Sequence, residues 1–198
     1  LLFLSAHSIV TFFVARSQMA VESLAVLPVI GALMFIFRSL GLSYQETVIA
    51  LIGDRFEKFF PIRNFALLLV SAVFCSLGLV VFTDVVAIWY QDICGLTPDL
   101  TLFALAPTKL LIVLPALEVV MSFQRGLMVA GLTTKPVTLG ALTEIIAIVA
   151  TLNLAIHSFN MVGAMAAALA LVTGRAFAIL FLLYPNYVLF RMITKRKE

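Results

Sequence analysis

Several polar and ionisable side chains lie inside stretches of the sequence that are otherwise apolar. The stretch FRSLGLSYQE, residues 37–46, interrupts one apolar run with Arg38 and Gln45, which are seven residues apart and therefore share a helix face. Insertion of a charged side chain at the centre of a membrane-spanning helix costs roughly 2.5–3.5 kcal/mol. Charged residues at such positions are therefore taken as candidates for a binding site. The candidate residues for binding a substrate or a coupling ion are Arg38, Gln45, Lys109, Glu118, Glu144 and Arg175.

Depth along the helices predicts which of these groups meet. Arg125 and Lys135 lie in the connection that follows the fourth predicted segment. Counted from them at 1.5 Å per residue, Glu118 lies about 10 Å and Glu144 about 13 Å below the same membrane surface. Arg38 enters from the other side and ends in the same half of the membrane. We therefore expect Arg38, Glu118 and Glu144 to form a buried charge cluster around a polar interior, with Lys109 and Arg175 nearer the midplane.

Two prolines can change the geometry of the charged segment ALAPTKLLIVLPALE. Pro107 and Pro115 each remove one helix hydrogen bond and can kink the helix, and Pro28 in the second segment has the same potential. Lys109 and Glu118 are nine residues apart and face opposite sides of a straight helix, a relation that a kink alters. Downstream, Glu118, Ser122 and Arg125 form a stripe on one helix face. Kinked spans beside buried charges are typical of transporters.

Composition places the helices that must carry these groups in a lipid bilayer. The chain is 63% hydrophobic, with a mean hydropathy of +1.17, and only 12% charged, whereas soluble domains average about 25% charged residues. The basic residues are dispersed between apolar segments, which argues against a nucleic-acid partner. The sequence contains no HExxH, GxSxG or phosphate-binding glycine loop, and we predict that the protein is not an enzyme and binds no metal.

Apolar segmentation predicts an all-α protein with six transmembrane helices in a single lobe spanning residues 1–198. Backbone groups in lipid must be satisfied within the segment, which favours helices. The first segment is short, and we expect the natural chain to begin upstream. Nine basic residues fall on one side of the predicted membrane and one on the other, so we predict both ends in the cytoplasm. The predicted segments are 1–15, 22–52, 62–83, 100–124, 136–157 and 162–189.

The stretch GLSYQETVIALIGDRFEK resembles the end of the second helix of a lobe in the MATE and related flippase (MOP) superfamily. The stretch from FALAPTKLL to AIVATL, followed by NMVGAMAAALALVTGR, is similar to the last three helices of that superfamily. A more particular similarity is to the progressive ankylosis protein branch, carried by Pro107-Thr108-Lys109 and by Gly163-Ala164. The sequence departs from the MATE pattern at Gln45 and Glu46, where a small residue is usual.

The resemblance implies twelve helices in two lobes, with a substrate cavity between them and alternating access. This chain would be the C-terminal lobe, partnered by an N-terminal lobe of the same protein and by the lipid bilayer of a bacterial inner membrane. The function expected is an exporter of a small molecule that uses no cofactor and is coupled to Na⁺ or H⁺. Glu118 and Glu144 would bind the coupling ion, and Arg38, Lys109 and Arg175 would bind or balance the substrate. The alternatives are a flippase for a lipid-linked saccharide and a non-transporting integral membrane subunit whose charges serve assembly.

Overall fold

The computed structural model describes the backbone of residues 2–53 and 56–195, and the side chains of residues 8–53 and 56–192. Within these residues the chain forms helices joined by short connections, with no β-strand. Helices satisfy their backbone hydrogen bonds internally, which is the requirement that lipid imposes. The all-α prediction is confirmed, and the apolar helices identify an integral membrane protein.

Eight α-helices cover most of the described chain. Two π-helical turns, Trp89–Ile93 and Leu154–Ser158, continue the fourth and seventh of them. Each of the six predicted segments corresponds to helix. The helices are α1 Leu2–Val14, α2 Ala20–Leu51, α3 Phe59–Val81, α4 Val85–Ile88, α5 Pro98–Leu111, α6 Leu114–Ala130, α7 Lys135–Asn153 and α8 Gly163–Lys195.

Five stretches of the described residues are long and apolar enough to cross a membrane. Helix α1, with 13 residues, is shorter than the roughly 20 residues that a straight span needs. Helix α8 has 33 residues and extends beyond the predicted end at residue 189. The five stretches are Ala20–Leu51, Phe59–Val81, Pro98–Ala130, Lys135–Ser158 and Gly163–Met192.

The fourth predicted segment is interrupted just before Pro115, its second proline. Helix α5 ends at Leu111 and α6 begins at Leu114, because Pro115 has no N–H to donate to the carbonyl of Leu111. Pro28, Pro107 and Pro185 lie inside α2, α5 and α8 without ending these helices. The break is confined to Ile112 and Val113, and α5 and α6 together form one candidate span.

A buried hydrogen-bond chain fastens the connection between α3 and α5. The Thr108 hydroxyl donates to the carbonyl of Ala104, so the Tyr90 hydroxyl is the donor in its bond to Thr108 Oγ1. Burial also raises the pKa of Tyr90 to about 12. The π-helical turn that carries Tyr90 is thereby held against α5.

The helices pack in pairs that position the charged residues. Helix α2 lies along α6, α7 lies along α8, and α6 also contacts α8. Gly174 makes the α7–α8 contact close, because a Cβ at this position would lie 2.5 Å from Cγ1 of Ile148 and 3.1 Å from the carbonyl oxygen of Glu144. Small residues at such positions are typical of helix pairs in membranes. The order α2, α6, α8, α7 brings four helices side by side.

Ser23→Ala should lower the free energy of unfolding by about 1–2 kcal/mol, because it leaves a buried N–H without an acceptor. The Ser23 hydroxyl, fully buried, accepts a hydrogen bond of 3.0 Å from the backbone N–H of Ala164 in the first turn of α8. Thermal melting of the purified protein in detergent measures the change. Ser71→Ala is the matched control, since the exposed Ser71 bonds only to Leu67 of its own helix. Equal melting temperatures for both variants would contradict the prediction.

Candidate functional site: a ladder of ion pairs

Five charged residues of alternating sign form a continuous row of ion pairs across the packed helices. The row begins on α2, passes through α6 and α8 to α7, and returns to α6. Because opposite charges at close range offset much of the cost of burial, this arrangement makes several charges tolerable within apolar helices. We call this row the charge ladder; its members in order are Arg38, Glu118, Arg175, Glu144 and Arg125.

Glu118 is the most tightly held member of the charge ladder. Its Oε2 accepts from Nε of Arg38 at 2.9 Å and from Nη2 of the same arginine at 2.6 Å. Its Oε1 accepts from Nη1 of Arg175 at 3.1 Å. Only 1% of the Glu118 side chain is exposed. Charge-assisted hydrogen bonds of this kind are the strong ones in proteins, so both carboxylate oxygens are firmly engaged.

Glu144 is held more loosely than Glu118. Its Oε1 lies 3.2 Å from Nε of Arg175, and its Oε2 lies 3.7 Å from Nη2 of Arg125. The Nε atoms of both arginines are buried. That of Arg125 makes no hydrogen bond to the described residues, and that of Arg175 contacts Oε1 of Glu144 as an ion pair without hydrogen-bond geometry. The Glu144 side chain is 12% exposed. This half of the charge ladder therefore has weaker contacts and unused hydrogen-bond donors.

The charge ladder contains three guanidinium groups and two carboxylates, so the described members carry one surplus positive charge. Its two ends are the most exposed members, with 17% of the Arg38 side chain and 18% of the Arg125 side chain accessible. Arg175, in the middle, is only 4% exposed. The two ends are consequently the members most accessible from outside the packed helices.

The structure brings together the three residues expected to cluster. Arg38 contacts Glu118 directly, and Arg175 joins Glu118 to Glu144. Arg175, which was expected nearer the midplane, joins this cluster, because its long side chain spans the interface of α8 with α6 and α7. The cluster is therefore larger than the sequence indicated.

Arg125 was not among the candidate binding residues, although it shares a helix face with Glu118. The fourth segment was predicted to end at residue 124, which left Arg125 among the basic residues outside the membrane, but α6 continues to Ala130 and keeps Arg125 within the helix. The signal was present in the sequence, since Glu118 and Arg125 are seven residues apart on one helix face. Helical periodicity past the predicted boundary identifies it.

Gln45 and Lys109 lie outside the charge ladder. Gln45 is partly exposed, and its backbone carbonyl packs against Gly126 of α6. Lys109 is exposed on the outer side of α5, with Nζ 6.0 Å from the centre of the Phe82 ring. Pro107 and Leu111, each two residues from Lys109 and therefore nearly opposite it on α5, are buried, so Lys109 points away from the helix interface. Their predicted binding roles stay predictions.

The charge ladder is closed to solvent at its centre. Glu118 and Arg175 are both buried. Two cavities, of about 240 and 330 Å³, lie instead near the end of α8 around Tyr184, and no member of the charge ladder lines them. Access to the two carboxylates therefore requires entry at the exposed ends or movement of the helices.

The described residues contain no group of three His, Cys, Asp or Glu side chains that could hold a metal ion. Comparison of the chain with family models, curated proteins and solved structures finds no match. The resemblance to the MATE superfamily therefore stays a prediction, and the functional argument depends on the charge ladder.

Proposed function

We propose that the protein is a secondary active transporter of a small molecule that works by alternating access and is coupled to an ion. The observation that supports this proposal is the charge ladder itself, a row of ion pairs that joins four helices inside an apolar protein. Ionisable groups within membrane spans mark ion and substrate pathways. The broken α5–α6 span is a second feature that transporters share.

The surplus positive charge favours an anionic substrate. Arg38 and Arg125 are the exposed ends of the charge ladder, and Arg125 has a buried Nε with no acceptor among the described residues. An anionic group at either end gains charge-assisted hydrogen bonds and balances the row. We assign substrate binding to these ends.

Glu144 is the better of the two carboxylates for binding Na⁺ or H⁺. Its contacts at 3.2 and 3.7 Å are longer than those of Glu118 at 2.6 and 3.1 Å, so less interaction energy opposes an exchange of partners. An ion on Glu144 releases Arg125 and Arg175 towards the substrate. Glu118 serves as the fixed anchor between α2, α6 and α8.

In this proposal the helices move against a second lobe of the same protein, with both ends of this chain in the cytoplasm. The change of access then follows from re-pairing within the charge ladder, because each arrangement of ion pairs favours one packing of α7 on α8. The membrane proposed is a bacterial inner membrane.

Glu144→Gln should reduce ion-coupled transport at least tenfold while the protein remains folded. The transport current is recorded from proteoliposomes adsorbed on a solid-supported membrane. The probes are small carboxylates, phosphate and tetraphenylphosphonium, each applied under an imposed Na⁺ or pH gradient. We expect currents with an anion and a loss of gradient dependence in the variant, because a glutamine at position 144 cannot take up the coupling ion.

Glu46→Gln is the matched control, since Glu46 lies on α2, is exposed and is outside the charge ladder. Its current should equal that of the unmodified protein. A Glu144→Gln variant that keeps its gradient dependence would refute the assignment of the coupling site.

A non-transporting membrane subunit is the second candidate function. Burial of Glu118 and Arg175 favours it, because ion pairs that serve only assembly need no access to solvent. This alternative expects no current with any of the probes, together with reduced stability of Glu144→Gln. The same proteoliposome experiment therefore separates the two candidates.

A further inference from the structure

We propose that the end of α8 carries a binding site for an anionic phospholipid. The site is the groove formed by the two cavities near Tyr184, which share Tyr184, Val188 and Met192. On one side the groove is closed by the α6–α7 connection at Thr133 and Pro136. We call this surface the α8 groove.

Helix length places the α8 groove at the level of the lipid headgroups. About 20 residues at 1.5 Å per residue cross the roughly 30 Å hydrocarbon core. Counted from Gly163, where α8 begins, the core ends near residue 183. Tyr184 and Tyr187, which are 75% and 63% exposed, then lie at the interface, where tyrosine is enriched in membrane proteins.

The shape of the α8 groove suits an acyl chain. Its floor and walls are largely side-chain hydrocarbon, from Val188, Leu189 and Met192 of α8 and from Met128 of α6. Volumes of about 240 and 330 Å³ accommodate a length of lipid chain rather than a single methyl group. Burial of a chain segment contributes about 0.8 kcal/mol per CH₂ group.

Charge at the α8 groove selects an anionic headgroup. Arg191 lines the wider cavity, and the exposed Lys135 precedes Pro136 at the start of α7. The described side chains of α8 from residue 176 to 192 include no Asp or Glu. Basic residues at the headgroup level attract anionic lipids by about 1 kcal/mol each.

The α8 groove is separate from the charge ladder. Arg191 lies sixteen residues beyond Arg175, or about 24 Å along the helix. The proposal therefore does not depend on transport activity, and a lipid bound here stabilises the packing of α8 on the α6–α7 connection.

The test is a titration of the full chain, purified in detergent, with phosphatidylglycerol and with phosphatidylcholine of the same acyl chains. Native mass spectrometry counts the lipids retained. We expect at least fivefold tighter binding of phosphatidylglycerol. Arg191→Gln should weaken phosphatidylglycerol binding at least threefold and leave phosphatidylcholine unchanged, whereas Val188→Trp, which fills the groove, should weaken both.

Lys58→Gln is the control, because Lys58 is an exposed basic residue at the start of α3 and does not line the α8 groove. It should bind both lipids as the unmodified protein does. Equal affinity for the two lipids, or equal losses in Arg191→Gln and Lys58→Gln, would overturn the proposal. Displacement of phosphatidylglycerol by millimolar inorganic phosphate, with no effect of Val188→Trp, would also overturn it by revealing a site for free anions.

Discussion

Glu118→Gln should lower the free energy of unfolding by about 3–5 kcal/mol, the largest loss expected from a single substitution in this protein. The substitution removes the carboxylate that Arg38 and Arg175 both contact, at 2.6 and 3.1 Å. Arg175 is 4% exposed and cannot move its charge into water without disturbing α8. A neutral amide keeps the shape of the side chain, so the loss measures the missing charge.

Thermal melting and denaturant titration in detergent micelles report the stability of Glu118→Gln. Glu46→Gln makes the same chemical change at an exposed position of α2 and should leave the melting temperature within about 1 °C of the unmodified protein. If the two variants have the same melting temperature, the ion pairs of Glu118 contribute nothing to the free energy of unfolding, and the description of the ladder is wrong.

A double variant tests whether the buried charge itself causes the loss. Glu118→Met combined with Arg175→Met removes the two most buried charges of the ladder and fills their space with apolar side chains. Replacement of a buried pair by apolar residues is often neutral, whereas removal of one partner is costly. We expect the double variant to be more stable than Glu118→Met alone. Additive losses would show that the two side chains act independently.

Gly41→Leu should lower the free energy of unfolding by about 1–3 kcal/mol, because α2 and α6 touch at this glycine. A Cβ at Gly41 would lie 3.0 Å from the backbone nitrogen of Val119 and 3.2 Å from Cγ of Glu118. The nearest atom belongs to the backbone of α6, so the helices must separate. Separation of the two helices also moves Arg38, which lies three residues before Gly41 on α2, away from Glu118.

Gly31→Leu is the matched control on the same helix. A Cβ at Gly31 meets no atom within 4 Å, and the residue is exposed. Leucine also favours a helix over glycine by up to about 1 kcal/mol, so this variant should melt at the same temperature or higher. Equal losses at the two glycines would mean that helix propensity or lipid contact, rather than close packing, governs position 41.

The ion pairs of the ladder show how far sequence reasoning reaches. Depth counting along single helices placed Arg38, Glu118 and Glu144 in one layer, and their pairing partners lie in that layer. The result in depth depends only on the rise per residue, which is a local property of a helix. Lys109, by contrast, was a candidate binding residue, and the structure leaves it outside the ladder.

The sequence by itself determined that this is an all-α membrane protein and which residues form its apolar segments. It marked Pro107 and Pro115 alike as positions for a kink, and only the structure shows that the helix is interrupted before Pro115 and not at Pro107. Only the tertiary structure decided that Arg175 joins both carboxylates and that Arg125 completes the row. The physical reason is that periodicity fixes the direction of a side chain about its own helix axis but does not say which helix lies in that direction. Contacts such as Arg38 to Glu118, separated by 80 residues, follow from the packing of whole helices.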